Sequence, residues 1–547
     1  MKYVTVQEMQ TIEREANARG LTYEQMMENA GRGLGEVVKS SFDKYRQDGV
    51  LGLVGSGNNG GDTLVALTYL ASWGWKASAY VIRPRPADDP LITRLTGAGG
   101  QVYTIGQDSD YSILKHRLDD HRVILDGVLG TGIKLPLRGQ VAEVLKYVKQ
   151  QIFDNRNLHF IIAVDCPSGV DCDSGEAAPE TIPAELTVTM AAVKAGLLKF
   201  PAAKYTGKLI VVGIGLTDQD KTWCAIKRIV VSSDWVASRL PERPIDAHKG
   251  TFGTTMIVAG SVNYTGAALL AGKAAYLCGC GLVTLAVPGP LHCALAGHFP
   301  EATWVTLPDV EGVIARDATE LLYNNLGRAT ALLIGPGFGL EKTTQDFLAR
   351  LFYSQVDDEA ENIRKGSGLR NLPPLVVDAD GLKLLSQLPD WHQHLTSNTI
   401  LTPHPGEMSV MTGIPVKDVQ ANRLELAEQF SRNWGHILVL KGANTIIASP
   451  EGRTAIVPIA TSALARAGSG DVLAGLIVGL RSQGVEAFEA AAMGAWIHGQ
   501  AGLKISQEIG TTASVLAGDI LTGIIKVMKD LAPGSINPMH DSSGPDL

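Results

Sequence analysis

Short apolar runs that end in a glycine-rich turn bearing an acid or an amide recur along this chain, and that repetition settles its fold class. Val50 to Val54 leads into Gly55-Ser-Gly57-Asn58-Asn59-Gly60-Gly61-Asp62, followed by a helical pattern from Leu64 to Trp73. Val123 to Leu125 leads into Asp126-Gly-Val-Leu-Gly130-Thr131-Gly132-Ile133-Lys134-Leu135-Pro136, and Phe160 to Val164 into Asp165-Cys-Pro-Ser168. Runs that are apolar throughout belong to strands buried on both faces, so the pattern predicts parallel strands in α/β units. Open sheets of this kind gather ligands at the carboxyl ends of their strands. Any one of these polar residues alone is explained as a cap or turn residue. Their recurrence at equivalent strand ends predicts a site for a phosphate, a hydroxyl-bearing substrate and an oxygen-liganded monovalent cation. Gly55-x-Gly57-x-x-Gly60 has the context of a dinucleotide fingerprint, but the next strand, Ala77 to Ile82, ends in Arg83-Pro-Arg85 where a ribose-binding acid belongs. A standard cofactor site is therefore not expected, although arginines there suit a 2′-phosphate.

The 547 residues exceed one ordinary core and fit two large α/β units. Lys208 to Val212 reads as the last strand of the first, and the polar stretch Thr217 to Cys224 as the boundary. The pattern restarts with a strand from Met256 to Ala259, and Gly266-Ala267-Ala268 opens an alanine-rich helix. Gly266 to Lys273 is not a P-loop: it has one residue too many between the glycines, and Ala274 stands where Ser or Thr would bind magnesium. Further strands precede Gly335-Pro-Gly337, Asp378-Ala-Asp380, Thr402-Pro-His404-Pro-Gly-Glu407 and Lys441-Gly442-Ala443-Asn444-Thr445. A mobile surface insert is expected between Asp357 and Pro374, and a poorly ordered tail from Pro533 to Leu547.

Last comes Ala467-Gly468-Ser469-Gly470-Asp471, running into the apolar Val472 to Leu480. This predicts a helix N-terminus at which the free N–H groups of Gly468, Ser469 and Gly470 bind an anion. Asp471 then stands beside the bound phosphate, able to take a proton from an attacking hydroxyl, a kinase-like arrangement.

A net charge of -8 without a basic cluster argues against nucleic acid as the main partner. No apolar run approaches the ~20 residues of a membrane span, and Met1 to Glu8 lacks a signal core, so a cytoplasmic protein is expected. The six cysteines are too few and too unevenly spaced for a disulfide framework, and Cys278-x-Cys280 reads as packing rather than a zinc knuckle. Met26 and Met27 read as core or as an interface, and a homo-oligomer is expected.

On these motifs and Met27-Glu-Asn-Ala-Gly31, the N-terminal part resembles an NAD(P)H-hydrate epimerase domain and the C-terminal part a ribokinase-like, ADP-dependent NAD(P)H-hydrate dehydratase. Their order is that of the bifunctional nicotinamide-nucleotide repair family. The resemblance implies two three-layer α/β/α domains: a Rossmann-like one over residues 1–218 and a ribokinase-like one over 224–535, with a tail at 536–547. The implied substrates are the R and S hydrates NADHX and NADPHX, and ADP. For the epimerase it assigns Asn58 to Asp62 and Gly130 to Pro136 to substrate phosphates and sugar, Asp165 to catalysis near the ring, and Asn59, Asp126 and Ser168 to potassium. For the dehydratase it implies that Asp471 deprotonates the ring hydroxyl, which attacks the terminal phosphate of ADP before phosphate is eliminated. Gly468 to Gly470 would stabilise the transferred group, Lys441 to Thr445 line the nucleotide, and Gly266, Ala267, Gly337 and His404 line the hydrate. Glu407 would hold magnesium through water. The chain departs from the family in Ile459 to Arg466, which lacks the usual Asn- and Gly-rich approach to the anion turn, and in Lys383, where asparagine is common. Two other readings compete: a ribokinase-type small-molecule kinase fused to a nucleotide-sensing domain, and an NADP-binding scaffold without chemistry.

Overall fold

The computed structural model describes residues 1–86, 88–154, 158–353 and 372–532. The insert expected from Asp357 lies almost wholly, and the tail from Pro533 wholly, outside the described residues. The chain divides into two compact units, Met1–Arg228 and a second from Ile229 onward.

The first unit is built on a seven-stranded sheet in the order Gln101–Thr104, Ala77–Val81, Val50–Val54, Val123–Gly127, Phe160–Val164, Leu186–Met190, Lys208–Val212, parallel throughout. Successive residues of the central strand feed opposite faces. Val50 and Val54 pack with the helices Val6–Ala18, Tyr23–Phe42 and Asn58–Ser72, whereas Leu51 and Leu53 pack with Ser112–Asp119 and Gln140–Asp154. Burial on both faces is why the strand is apolar at every position. The first two helices start at Thr5 and Thr22, each closed by a capping box with Glu8 or Gln25 three residues on. The polar stretch Thr217 to Cys224 lies in this unit, where Asp220 pairs with Arg19 and Thr222 bonds to Glu15.

The second unit holds a sheet in the order Arg228–Val230, Thr454–Ile456, Ile446–Ala448, Ile437–Leu440, Ile400–Leu401, Leu375–Val377, Ala331–Ile334, Thr254–Val258, Leu282–Pro288, Thr303–Leu307. It is parallel from Ile437–Leu440 to Thr303–Leu307 and antiparallel across the Ile437–Leu440, Ile446–Ala448 and Thr454–Ile456 pairs. Ile257 and Leu333 pack with the helices Gly266–Leu277, Ser469–Ser482, Ala487–Ile509 and Ala517–Leu531; Met256 and Leu332 pack with Lys342–Tyr353 and Asp380–Leu385 on the other face. Both units are three-layer α/β/α, as the resemblance implies, and the strand pattern rightly predicts their parallel strands.

Two points differ from the sequence reading. The helix expected from Leu64 begins at Asn58, so Asn58 to Asp62 form its first turns rather than a loop. Gly60 and Gly61 mask this because glycine is a poor helix former, yet a Cβ at Gly60 would lie 2.1 Å from the Gly55 carbonyl oxygen, so only glycine lets the helix start so close to the strand. The strands Gln101–Thr104 and Leu186–Met190 of the first sheet, and Leu282–Pro288, Thr303–Leu307, Ile446–Ala448 and Thr454–Ile456 of the second, were not apparent from the pattern.

Candidate active sites

In the first unit, the expected residues meet at the carboxyl ends of the central strands, around two cavities. One, of about 890 Å³, is lined by Gly57, Asn58, Asn59, Arg83 and the loop from Val128 to Arg138, which includes all of Gly130 to Pro136. The other, of about 730 Å³, is lined by Asp62, Asp165, Lys194 and Glu13; Asn58, Asn59 and Thr131 border both. Gly60 and Gly61 are buried in packing contacts instead, the latter against Met27. Met26 and Met27 line the second cavity. Arg83 faces the first cavity, whereas Arg85 is taken up by Asp89 at 2.6 Å and the Gly55 carbonyl at 3.0 Å.

Asp165 sits at φ +64°, a left-handed conformation that its contacts enforce. Its Oδ1 accepts from the Thr189 hydroxyl at 3.0 Å, the Met190 N–H at 2.9 Å and the Lys194 ammonium; its Oδ2 has no donor among these. Lys194 is buried and also reaches the Met190 carbonyl at 2.8 Å. Asp126 is fully buried, and both its oxygens accept from Ser168, at 2.8 Å from the N–H and 2.5 Å from the hydroxyl. Asn59 donates its amide to the carbonyls of Val164 and Leu129, at 2.6 and 3.2 Å, which fixes its side-chain oxygen beside Gly130. Asn59, Asp126 and Ser168 therefore converge. Burial raises the Asp126 pKa, with the Ser168 bonds opposing and no cationic side chain contributing. An uncompensated buried carboxylate among amide, hydroxyl and carbonyl oxygens is a donor set that fits a monovalent cation.

In the second unit, the helix Ser469–Ser482 starts at Gly468, which adopts φ +86°. The Ser469 N–H is not free as expected: it donates to the Arg466 carbonyl at 3.3 Å, and the Ser469 hydroxyl turns to the Leu464 and Arg466 carbonyls. Among the described residues the N–H groups of Gly468 and Gly470 have no acceptor and remain as open donors at this terminus. Arg466 is turned to the Ala513 carbonyl, to which it donates. A Cβ at Gly470 would lie 3.6 Å from the Lys441 ammonium and 3.9 Å from Asp378 Oδ2, which puts the anion turn against that pair. Lys441 bonds Asp378 at 2.7 Å and approaches Glu407 to 3.6 Å. Burial works against its charge, but the two carboxylates outweigh it and its pKa is raised. Asp471, half-buried on the first turn, is pushed up to about 7 by burial and by Asp378, with Lys441 opposing. A carboxyl so placed exchanges protons readily near neutral pH.

Gly337, at φ +67°, packs so tightly that a Cβ would lie 2.9 Å from the Ala267 Cβ, which brings Gly266 and Ala267 to it. His404 caps the helix Pro405–Thr412: its Nδ1 accepts from Gly406 and Glu407, and its own N–H donates to Glu407 at 2.8 Å. Lys383 pairs with Asp380 at 3.0 Å. Asp378, Asp380, Glu407 and Asp471 thus face two lysines, an excess of negative charge that fits a hydrated magnesium ion.

Sequence reasoning missed two anchors. Lys194 follows its acid at a separation of 29 residues, the only signal being one lysine within an apolar stretch. Arg423, pushed down to about 10 by burial, donates to the carbonyls of Leu440 and Ala443 and so holds the Lys441 to Thr445 loop; nothing near it in sequence marks it.

Comparison with known proteins matches both units to described families. The family described as NAD(P)H-hydrate dehydratase matches residues 255–526, and that described as YjeF-related protein N-terminus matches 23–196. The bifunctional NAD(P)H-hydrate repair enzyme of Moorella thermoacetica is 34% identical over 97% of this chain and 97% of its own. That of Thermofilum pendens is 33% identical over 93% of each. Among solved structures, the ADP/ATP-dependent NAD(P)H-hydrate dehydratase of Bacillus subtilis, co-crystallised with ATP and magnesium, is 27% identical and covers 56% of this chain and 100% of its own, with a TM-score of 0.46. The chain belongs to the family of bifunctional NAD(P)H-hydrate repair enzymes.

Proposed function

We propose that the protein repairs hydrated nicotinamide nucleotides at two sites, interconverting the R and S hydrates at the first and dehydrating the S hydrate to NAD(P)H at the second. ADP is the phosphoryl donor, and AMP and phosphate are released. The observation that carries this reading is Asp471, a carboxyl with a pKa of about 7 on the first turn of the helix that starts at Gly468, beside Gly468 and within reach of the Lys441 charge.

At the second site, Asp471 takes the proton of the ring hydroxyl, and the oxygen attacks the terminal phosphorus of ADP as AMP departs. The Gly468 and Gly470 N–H groups meet the charge growing on the transferred group, donors already aimed where charge develops. The ring nitrogen lone pair then expels phosphate, a far better leaving group than hydroxide, and loss of the neighbouring C–H proton restores the double bond. Lys441, with Gly442 to Thr445, holds the nucleotide; Gly266, Ala267, Gly337 and His404 hold the hydrate. Glu407, with Asp378 and Asp380, suits a hydrated magnesium ion, which when bound offsets phosphate charge.

At the first site, Asp165 works beside the ring, while Asn58 and Asn59 with Gly130 to Pro136 hold the rest of the nucleotide. Asn59, Asp126 and Ser168 suit potassium, which when bound supplies one positive charge beside the loop that starts at Gly130. The test is hydrated NADH with ADP and magnesium. Wild type returns NADH absorbance with AMP and phosphate, and D471N does so at least about 100-fold more slowly. Equal rates would remove the base from the scheme.

A further inference from the structure

Asp62 is a carboxyl at the first site that the scheme above leaves without a chemical task, and it is more deeply buried than Glu13, which lines the same cavity. It lies on the helix Asn58–Ser72, is only 7% exposed, and lines the cavity of about 730 Å³ together with Asp165, Lys194 and Glu13. Three donors converge on Asp165 Oδ1, yet no hydrogen bond to the Asp62 carboxyl is found among the described residues. A buried carboxyl without a protein partner is costly and rare, and this one faces the cavity that the substrate would fill.

We propose that Asp62 is the general acid of the first site, donating a proton to the ring nitrogen while Asp165 takes one from the hydroxyl, so that the hydrate ring opens and recloses on the other face. The proposal rests on the reading of this site as the epimerase. Hydration of an enamine puts the hydroxyl on the carbon bonded to nitrogen, so the substrate is a carbinolamine. Asp165 Oδ2, the oxygen left open, takes the hydroxyl proton. The O–H electron pair becomes the second carbon–oxygen bond, the carbon–nitrogen bond breaks, and its pair goes to the nitrogen, which receives the Asp62 proton. The resulting aldehyde rotates to present its opposite face. The same steps in reverse close the ring, return the proton to Asp62 and restore the Asp165 carboxylate. Paired carboxyls held in contrasting surroundings are a common acid–base arrangement. Burial, and then the Asp165 charge with Lys194 opposing, raise the Asp62 pKa well above the usual carboxylate range, in keeping with a group that enters the cycle protonated.

The experiment uses the intact chain with a racemic NADH hydrate, ADP and magnesium. A fast phase consumes the S form, and a slower one consumes the R form at the rate of epimerisation. In D62N the fast phase is unchanged, while the slow phase falls at least about 100-fold, towards the spontaneous rate, with KM for the R form within about threefold. D62A, which empties the position on a helix that tolerates alanine, recovers the slow phase in proportion to added formic acid, once the effect of the acid on free hydrate is subtracted. D62N that epimerises within about fivefold of wild type, while D165N has lost the slow phase, overturns the proposal and leaves the site standing. D62A that formic acid leaves inactive reduces Asp62 to a packing residue and equally overturns it. A D165N variant that keeps the slow phase overturns the reading of the site itself.

Discussion

Replacing Asp471 by asparagine should stabilise the second unit while disabling it, and the size of the gain follows from the surroundings of the carboxyl. Burial and the neighbouring Asp378 hold its pKa at about 7 instead of 3.8. Ionising it in the folded state therefore costs about 4 kcal/mol relative to the unfolded chain, at about 1.4 kcal/mol per tenfold change in proton affinity. Solvent on the exposed part of the side chain lowers this to about 2–4 kcal/mol. The raised pKa means that the folded protein binds the proton more tightly than the unfolded chain. Its penalty is absent below about pH 4, grows as pH rises from there to about 7, and is constant above. D471N removes the penalty, so the calorimetric transition of the second unit in ligand-free protein should shift up by about 4–8 °C at pH 8 and hardly at all at pH 4. An unchanged or lower transition at pH 8 would refute the electrostatic picture, as would a gain of equal size at both pH values. The same pKa sets the activity profile: dehydration by wild type should rise through about pH 7 and level off above it, because the base works only when deprotonated.

Removing Lys194 as K194M leaves Asp165 buried without its cation, which costs the first unit about 3–5 kcal/mol and abolishes R-hydrate consumption; a melt and a racemate assay check both. G337A forces a methyl group to within 2.9 Å of the Ala267 Cβ at a positive φ, so stability falls by about 1–3 kcal/mol in chemical denaturation and KM for the S hydrate rises. Exchange of potassium for a bulky organic cation should slow epimerisation without touching dehydration of the S form. In D126N, which lacks the uncompensated charge, epimerisation should be slow in either salt.

The strand-end motifs could be read in advance because each packs its chemistry into a few consecutive residues after an apolar run: Asp126 and Ser168 do find each other, and Asp471 does open a helix against Lys441. Contacts closed by the fold rather than by the chain could not. Lys194 reaches Asp165 because Val193–Lys194 pairs with Tyr3–Val4 at the start of the chain, a pairing that carries no local signal. Arg423 holds the Lys441 to Thr445 loop from a separate helix. The Ser469 N–H looked open because a linear reading cannot see that the preceding turn folds back to bring the Arg466 carbonyl to it. The early start of the helix at Asn58 was hidden by glycines whose role is close approach, which outweighs their helix propensity.

Product stoichiometry tests the central claim most directly. The intact protein is given an equal mixture of R and S hydrates of NADH with excess ADP and magnesium, and NADH, AMP, phosphate and residual hydrate are measured together at completion. Two working sites predict one AMP and one phosphate for every NADH, with neither hydrate left. A phosphorylated hydrate that accumulates without NADH would make the second site a kinase and contradict the account, and an R form that persists beyond its spontaneous loss would contradict the first site.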